Sequence, residues 1–554
     1  MLTQAKSKNT LQGLVWVFIF LIPSIFIWQD GDLGDTGFNL TIYQFFFERL
    51  QEGTTDSIIF LTELIGGSFL KLFPSLEIYN IKLLALIFLY GNLILSFQIL
   101  KKLFPQNHTL PILLLIGLLF NIRCFPLIFN YDLATSFILL LILYFLSSTR
   151  NILSNRNFII VGVITSLSIL IRLPNLLLIL MIPLGLFVSK FLQLHTITNK
   201  KIITLTTTYY ISVIISSTFI YLIMVYYDIA QVYLDNLFNP KTVFKVSGLE
   251  YSITRVIKVY MLDFFYFLLY LITTSILFFS VEYLKLKIRF RKQWILYIGL
   301  GLGLVLLSIY PFTFNYNNSI KYVVPSLVLI ILYKSSLSKL SQWILILSFL
   351  FILVQVAGSN TGIFLKSSFL FILIIPIALG NLSHATQSNI RKLSISLGVY
   401  IGLYSLFLYF VFIYGVGQNP LIRLKATYPV HVNNYNGMYT TQDRAQEIEL
   451  TTLDLMRFKV DDSTELFIYG HKPLFYYLTQ MKPADKEIWL IGNSLAKPAS
   501  IFDRINLKDR KPIFMDTKQG LFSTEIENAK NLFLNQNHYR LVKSTRFYDI
   551  WVAN

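Results

Sequence analysis

Three aspartates, Asp30, Asp32 and Asp35, follow directly on the first apolar segment, in Trp28-Gln29-Asp30-Gly31-Asp32-Leu33-Gly34-Asp35-Thr36-Gly37-Phe38. Acids at the mouth of an apolar helix are costly to hold beside hydrocarbon and need water, a cation or a reaction to justify them. A carboxylate at a water–lipid boundary can accept a proton from a hydroxyl while that oxygen attacks another group. Asp35 is the residue expected to do so, with Asp32 as a second candidate. The alternative is that Asp35 or Thr36 caps a helix that begins near Gly37. Asp30 and Asp32 either bind a cation or solvate the loop, and solvation is the reading favoured for Asp30. A further acid, Asp132 in Asn130-Tyr131-Asp132-Leu133-Ala134-Thr135-Ser136-Phe137, opens another apolar helix. It can orient an acceptor, join Asp32 and Asp35 around a divalent cation such as Mg or Mn, or cap its helix.

Two cations complement these acids. Arg172, in Ile171-Arg172-Leu173-Pro174-Asn175, falls between two apolar runs, and Lys321, in Ser319-Ile320-Lys321-Tyr322-Val323-Val324-Pro325, starts a later one. Each either anchors its helix by snorkelling or meets a phosphate, for which a guanidinium is the stronger partner. Tyr322 stands next to the second cation. His108, His195, His384, His431, His471 and His538 are scattered and show no metal-ligand spacing.

The elements that must position these groups are membrane helices. The 554 residues are 55% hydrophobic, 16% aromatic and 14% charged, with a mean hydropathy of +0.61; soluble chains carry about 25% charged residues. Apolar runs of about 17–25 residues, long enough to cross a bilayer, are read at 11–28, 79–100, 109–129, 131–148, 157–172, 174–190, 202–225, 257–280, 294–310, 320–334, 340–357, 362–380 and 394–414. That predicts thirteen helices, the first a retained signal anchor. Basic residues then fall in every cytoplasmic loop, from Lys101 and Lys102 to Arg391 and Lys392, placing the N-terminus inside and the C-terminus outside. The net charge of +18 is therefore spent on orientation and is no footprint for nucleic acid. The single cysteine, Cys124, excludes an internal disulfide and a cysteine metal site.

Most remaining acids lie on the outer side, which reads as the working face. The first outer loop, 29–78, holds an expected interfacial helix over 38–50 and a second apolar piece, 58–73, broken at Gly66-Gly67. The loop 226–256 is long enough to be a lid. The Gly299–Gly303 run reads as close helix packing. Residues 1–416 thus form a membrane domain and 417–554 an outer domain. Strands in the latter are expected at Glu465–Tyr469, Glu487–Ile491, Pro512–Met515, Arg540–Lys543 and Tyr548–Val552, with helices at Leu474–Gln480, Ala499–Ile505 and Thr524–Leu534. This is an α/β pattern.

Taken together, the motifs resemble the GT-C superfamily of integral-membrane glycosyltransferases, in the bacterial branch related to protein O-mannosyltransferases and the aminoarabinose transferase of lipid A. The resemblance rests on Asp35 before a helix in the first outer loop, Asp132 through Phe137, Arg172-Leu173-Pro174 and Lys321-Tyr322-Val323-Val324-Pro325. Thr36 departs from the acid that often follows the first Asp in that family. The resemblance implies a polytopic α-helical fold and transfer of a sugar, with inversion, from a polyprenyl-phosphate donor such as one built on undecaprenyl phosphate. The acceptor would be a hydroxyl on a glycan, lipid or protein outside a bacterial inner membrane. In that scheme Asp35, Asp132 and Asp32 serve catalysis, and Arg172, Lys321 and Tyr322 serve the donor phosphate. A lipid-linked glycan polymerase or ligase, or a transporter of lipid-linked saccharide, is the alternative; the former would favour Arg-rich outer loops and the latter midplane charges and inverted repeats.

Overall fold

The computed structural model describes all residues except 1, 26, 54–57, 123–126, 148–153, 195–197, 239–252, 288–295, 297–298, 305–318, 335–336, 358–361, 367–369, 384–399, 402–411, 414–420, 423–424, 486–487, 489–501, 503–504, 506–510, 519–523 and 554. The chain opens with α1 (Leu2–Ile25), then four short elements, α2 (Asp35–Gln44), α3 (Phe46–Gln51), α4 (Phe60–Leu72) and a 3-10 turn at Pro74–Leu76. Next come α5 (Ile78–Leu103), α6 (Leu110–Ile122), α7 (Tyr131–Leu146), α8 (Asn155–Ile171), α9 (Leu178–Phe191), α10 (Asn199–Tyr226) and α11 (Ala230–Phe238). Later helices span Ile253–Lys287, Ser319–Lys334, Lys339–Val356, Ile363–Lys366 and Phe371–Ser383.

Local sequence starts many of these helices. Asn130, Ser154, Thr198 and Ser338 each accept a backbone N–H at a helix N-terminus, satisfying donors that have no partner inside the helix. Among the described residues, five helical segments, Ile78–Leu103, Leu173–Phe191, Asn199–Tyr226, Ile257–Leu284 and Lys339–Val356, are long and apolar enough to cross a membrane. Large apolar side chains such as Phe18 on α1, Phe219 on α10 and Phe265 on Ile253–Lys287 are more than half exposed. In water that surface would demand a partner; beside lipid it is the solvated face, as befits an integral membrane protein. The expected crossings at 294–310 and 394–414 lie largely outside the described residues.

The first loop departs from its expected form. The helix predicted over 38–50 breaks at Phe45 into α2 and α3, and α2 buries Thr36, Gly37, Asn39, Leu40, Thr41, Ile42 and Tyr43. It is a strut largely enclosed by protein. The Gly66-Gly67 pair does not break α4 either. A Cβ on Gly66 would lie 2.5 Å from the Tyr43 ring, and one on Gly67 would lie 2.9 Å from Phe46 Cβ. These glycines let α2 and α3 cross close to α4. Of the glycine run, Gly303 does pack tightly on Leu277, whereas Gly299 and Gly301 face open space.

The C-terminal region carries a five-stranded mixed sheet in the order Lys482–Pro483, Glu465–Tyr469, Ile513–Asp516, Asp549–Ala553, Tyr539–Ser544. The first three strands are parallel and the last two antiparallel. Helices Leu474–Thr479 and Thr524–Gln536 fall where sequence placed them, and Gln442–Phe458 is an additional one. The expected strand 487–491 and helix 499–505 lie largely outside the described residues. A ring cluster of Phe467, Tyr469, Phe502, Phe514, Phe533 and Tyr539 fills one face of the sheet.

Candidate active site at the loop end of the bundle

The first loop is locked to the C-terminal region, and Asp30 is the lock. Its carboxylate is buried, accepts the Tyr435 hydroxyl and pairs with Arg444, whose Nε lies 3.3 Å from Oδ2. Main-chain bonds flank this pair: the Asp30 N–H donates to the Tyr439 carbonyl at 2.9 Å and the Tyr439 N–H to the Trp28 carbonyl at 2.7 Å. Asp30 is thus no solvating residue. Its partners come from a segment some four hundred residues away, which local sequence cannot reveal.

Asp32 begins α2. It accepts the Thr36 N–H and the Thr36 hydroxyl, each at 3.3 Å, while Gly34 at the N-cap position offers no side chain. The capping expected of Asp35 or Thr36 therefore belongs to Asp32. Burial pushes the Asp32 carboxyl above its ordinary 3.8, opposed by the Arg444 charge and the hydrogen bonds from the start of α2. Asp35 is the first residue of α2 and is partly exposed, unlike Asp30 and Asp32.

Contacts along α2 and α4 carry this loop to the second acid. The Tyr43 hydroxyl donates to the Phe129 carbonyl at 3.0 Å, just before the cap of α7. Thr62 of α4 donates to the Ile171 carbonyl at 3.0 Å, and the Leu173 N–H donates to the Ile58 carbonyl at 2.9 Å. At the head of α7 the Asn130 side chain accepts the Leu133 N–H, so Asp132 is not the cap. Asp132 is buried and faces Arg172, with Nη1 3.7 Å from Oδ1.

Arg172 does not snorkel. It is 4% exposed and donates to the Gln355 carbonyl at 2.6 Å and the Ala357 carbonyl at 2.8 Å, at the C-terminal end of Lys339–Val356. The guanidinium also lies over the Tyr131 ring, 5.3 Å from its centroid. A cation on unsatisfied helix-end carbonyls is favourable, and the fork of Arg serves two of them at once. The Tyr260 hydroxyl donates to Val356 O at 2.6 Å. This binds the helix Ile253–Lys287 to the same carbonyl cluster.

Tyr322 is buried and donates to Asp263, which also accepts the Ile363 N–H at 2.6 Å and the Phe364 N–H at 3.2 Å. It stacks on Tyr270 at 5.5 Å between ring centroids. Lys321 belongs to the helix Ser319–Lys334, but its side chain lies outside the described residues. The loop 226–256 begins with α11 and continues largely outside them. The structure thus joins Asp132 to Arg172, with α2 against the segment that leads into α7 and α4 against the end of α8. It assigns Tyr322 a partner that sequence reading left aside, Asp263. Also unforeseen are the buried Arg49–Glu63 pair between α3 and α4, at 3.5 Å, and fully buried Lys82, which donates to the Gln29 carbonyl at 2.6 Å. Acids and bases four turns or two helices apart give no periodic signal.

Among the described residues no three His, Cys, Asp or Glu stand together as a metal site. Asp32 is bonded to Thr36, and Asp132 is paired with Arg172.

No known protein-family model matches the sequence, and none of the curated proteins does. Among solved structures, the chain is similar to the crystal structure of ArnT from Cupriavidus metallidurans in the apo state. The TM-score is 0.51 at 10% sequence identity, over 99% of this chain and 98% of that one. The same protein bound to undecaprenyl phosphate aligns with a TM-score of 0.44 at 10% identity, over 99% of this chain and 98% of that one. ArnT is the lipid A aminoarabinose transferase, a GT-C glycosyltransferase, and this chain shares its fold.

Proposed function

We propose that this chain is a GT-C-type glycosyltransferase that moves a sugar from a polyprenyl-phosphate donor to an acceptor hydroxyl on the outer face of a bacterial inner membrane. The observation that carries the reading is the sorting of the acids: Asp30 and Asp32 are buried in structural pairings, and Asp35 stands partly exposed at the head of α2. The shared fold supports the reaction class.

In this scheme the acceptor oxygen attacks the anomeric carbon as its proton passes to the Asp35 carboxylate. The bond from that carbon to the phosphate oxygen breaks, the electron pair leaves with the polyprenyl phosphate, and a single displacement inverts the centre. Arg172 supplies positive potential from behind Asp132 and Lys321 supplies it from the start of its helix. Both favour the charge that grows on the departing phosphate. Asp132, fixed by Arg172, orients the acceptor. Tyr322 is bonded to Asp263, so its part is to hold the helix that bears Lys321. The N-terminus lies in the cytoplasm and the C-terminal α/β region, 417–554, lies outside as a domain of its own.

Membranes carrying the protein, incubated with labelled polyprenyl-phosphate sugars, test the scheme. Asp35→Asn is expected to abolish transfer while expression and membrane insertion stay at wild-type level. Full transfer by that variant would remove Asp35 from the role of base.

A further inference from the structure

A cleft of about 460 Å³ opens where α2, α3 and α4 meet the C-terminal region. Its wall includes Gln44, Glu48, Lys71, Glu77, Asn80 and Gln480, with the rings of Tyr43, Phe47 and Tyr477 among them. The volume falls in the range of small-molecule sites, about 300–1,000 Å³. A rise of about 1.5 Å per residue places Gln44 roughly 13 Å along α2 from Asp35. The cleft is therefore distinct from the carboxylate end of that helix.

Two features mark it as more than a surface groove. Glu77, Asn434 and Gln480 hold φ values of +52°, +66° and +53°, and all three lie in this wall. Left-handed backbone at side chains of this kind costs energy and gathers at functional sites. In addition, Gln44 Oε1 and Asn80 Oδ1 are buried without a hydrogen-bond partner among the described residues. The Asn80 amide nitrogen is already used by the Phe73 carbonyl. Both orphan atoms are acceptors, so a ligand that completes them must bring O–H or N–H groups. Glu48 and Glu77 ask for the same, and only Lys71 among the wall residues is cationic. A phosphate, rich in acceptors and poor in donors, is the wrong complement. An acyl chain would leave every polar group unmatched. Amides and carboxylates for hydroxyls, with ring faces for the carbon skeleton, suit a sugar.

We propose that this cleft is a saccharide-binding site that takes a neutral or amine-bearing sugar unit. Such a site would grip a glycan at a distance from the bond being made, so binding here does not depend on the transfer chemistry. Saturation-transfer NMR on the full-length protein in detergent, with methyl glucoside and glucosamine as probes and phosphorus NMR of inorganic phosphate as the contrast, tests it. Transfer to one or both sugars and no phosphate broadening are expected, unchanged in Asp35→Asn. Leu70 also lines the cleft, and Leu70→Trp, which fills it, is expected to reduce the sugar signal at least fivefold. Gln480→Gly removes a wall side chain at a φ that suits glycine, so it keeps the fold, and a severalfold loss is expected there. Glu48→Gln should weaken glucosamine more than methyl glucoside. Absence of transfer to either sugar, signals that survive both Leu70→Trp and Gln480→Gly, or broadening of phosphate alone would overturn the assignment. Loss of transfer activity in Asp35→Asn with sugar binding intact separates this site from the reaction.

Discussion

Replacing Arg444 with Met probes whether the Asp30 lock holds the first loop against the C-terminal region. Both partners are buried, with side-chain exposures of 5% and 1%, so the change leaves the carboxylate with the Tyr435 hydroxyl as its side-chain partner among the described residues. Removing one member of a buried ion pair costs about 3–5 kcal/mol. The geometry here argues for the low end. Nε and Oδ2 are 3.3 Å apart, and Arg444 Nη2 has no hydrogen-bond partner among the described residues. At about 3 kcal/mol, local opening becomes more frequent by a factor of roughly 150, taking 1.4 kcal/mol per tenfold. Hydrogen exchange at two amides reads this directly, those of Asp30 and Tyr439, which bridge the two segments. Their protection should fall about a hundredfold, while Phe467 and Phe514 in the sheet change little. The double variant Asp30→Asn with Arg444→Met should lose less than the two single losses combined. A fall below tenfold at the two amides, or an equal fall throughout the sheet, would refute the idea of a local lock.

Other perturbations follow from the same geometry. A Cβ added by Gly37→Ala would lie 2.6 Å from Leu474 Cα; overpacking of about 1–3 kcal/mol should lower the unfolding midpoint in a thermal melt, whereas Gly13→Ala, with open space around it, should not. Arg172→Lys keeps the charge but cannot serve Gln355 O and Ala357 O with a planar fork. It should lose about 2–3 kcal/mol and at least tenfold in transfer, measured on membranes normalised for protein content. Asp32 is raised from 3.8 by burial, so the folded state holds its proton more tightly than the unfolded one. Stability from this group accordingly falls as pH rises from 3.8 through the folded value. Asp32→Asn should flatten that part of a melting-temperature-against-pH curve.

Much of the frame was legible because it obeys local rules. Asn130, Ser154, Thr198 and Ser338 announce helix starts by their side chains, and Glu465–Tyr469 announces a strand by composition. Arg172 was correctly placed at a helix junction, since Pro174 forbids a continuous helix there. Its direction was another matter. An Arg at a helix end can point to water or to carbonyls, and the choice depends on whether another helix end arrives beside it. The division of the predicted 38–50 helix at Phe45 and its burial escaped sequence for the same reason. Amphipathic spacing states that one face needs cover, and here Leu474–Thr479 and α4 cover nearly all of it.

By itself the chain determined that it must live in a membrane, because run length and apolar content answer directly to bilayer thickness. It determined also that acids gather after α1. Only the tertiary structure decided which acid does what. Asp30, Asp32 and Asp35 have one chemistry and nearly one address. Tyr435, Arg444 and Thr36 make the first two structural, while Asp35 is partly exposed at a helix head. Burial and pairing are properties of neighbours in space, and for Asp30 the Tyr435 neighbour is 405 positions away.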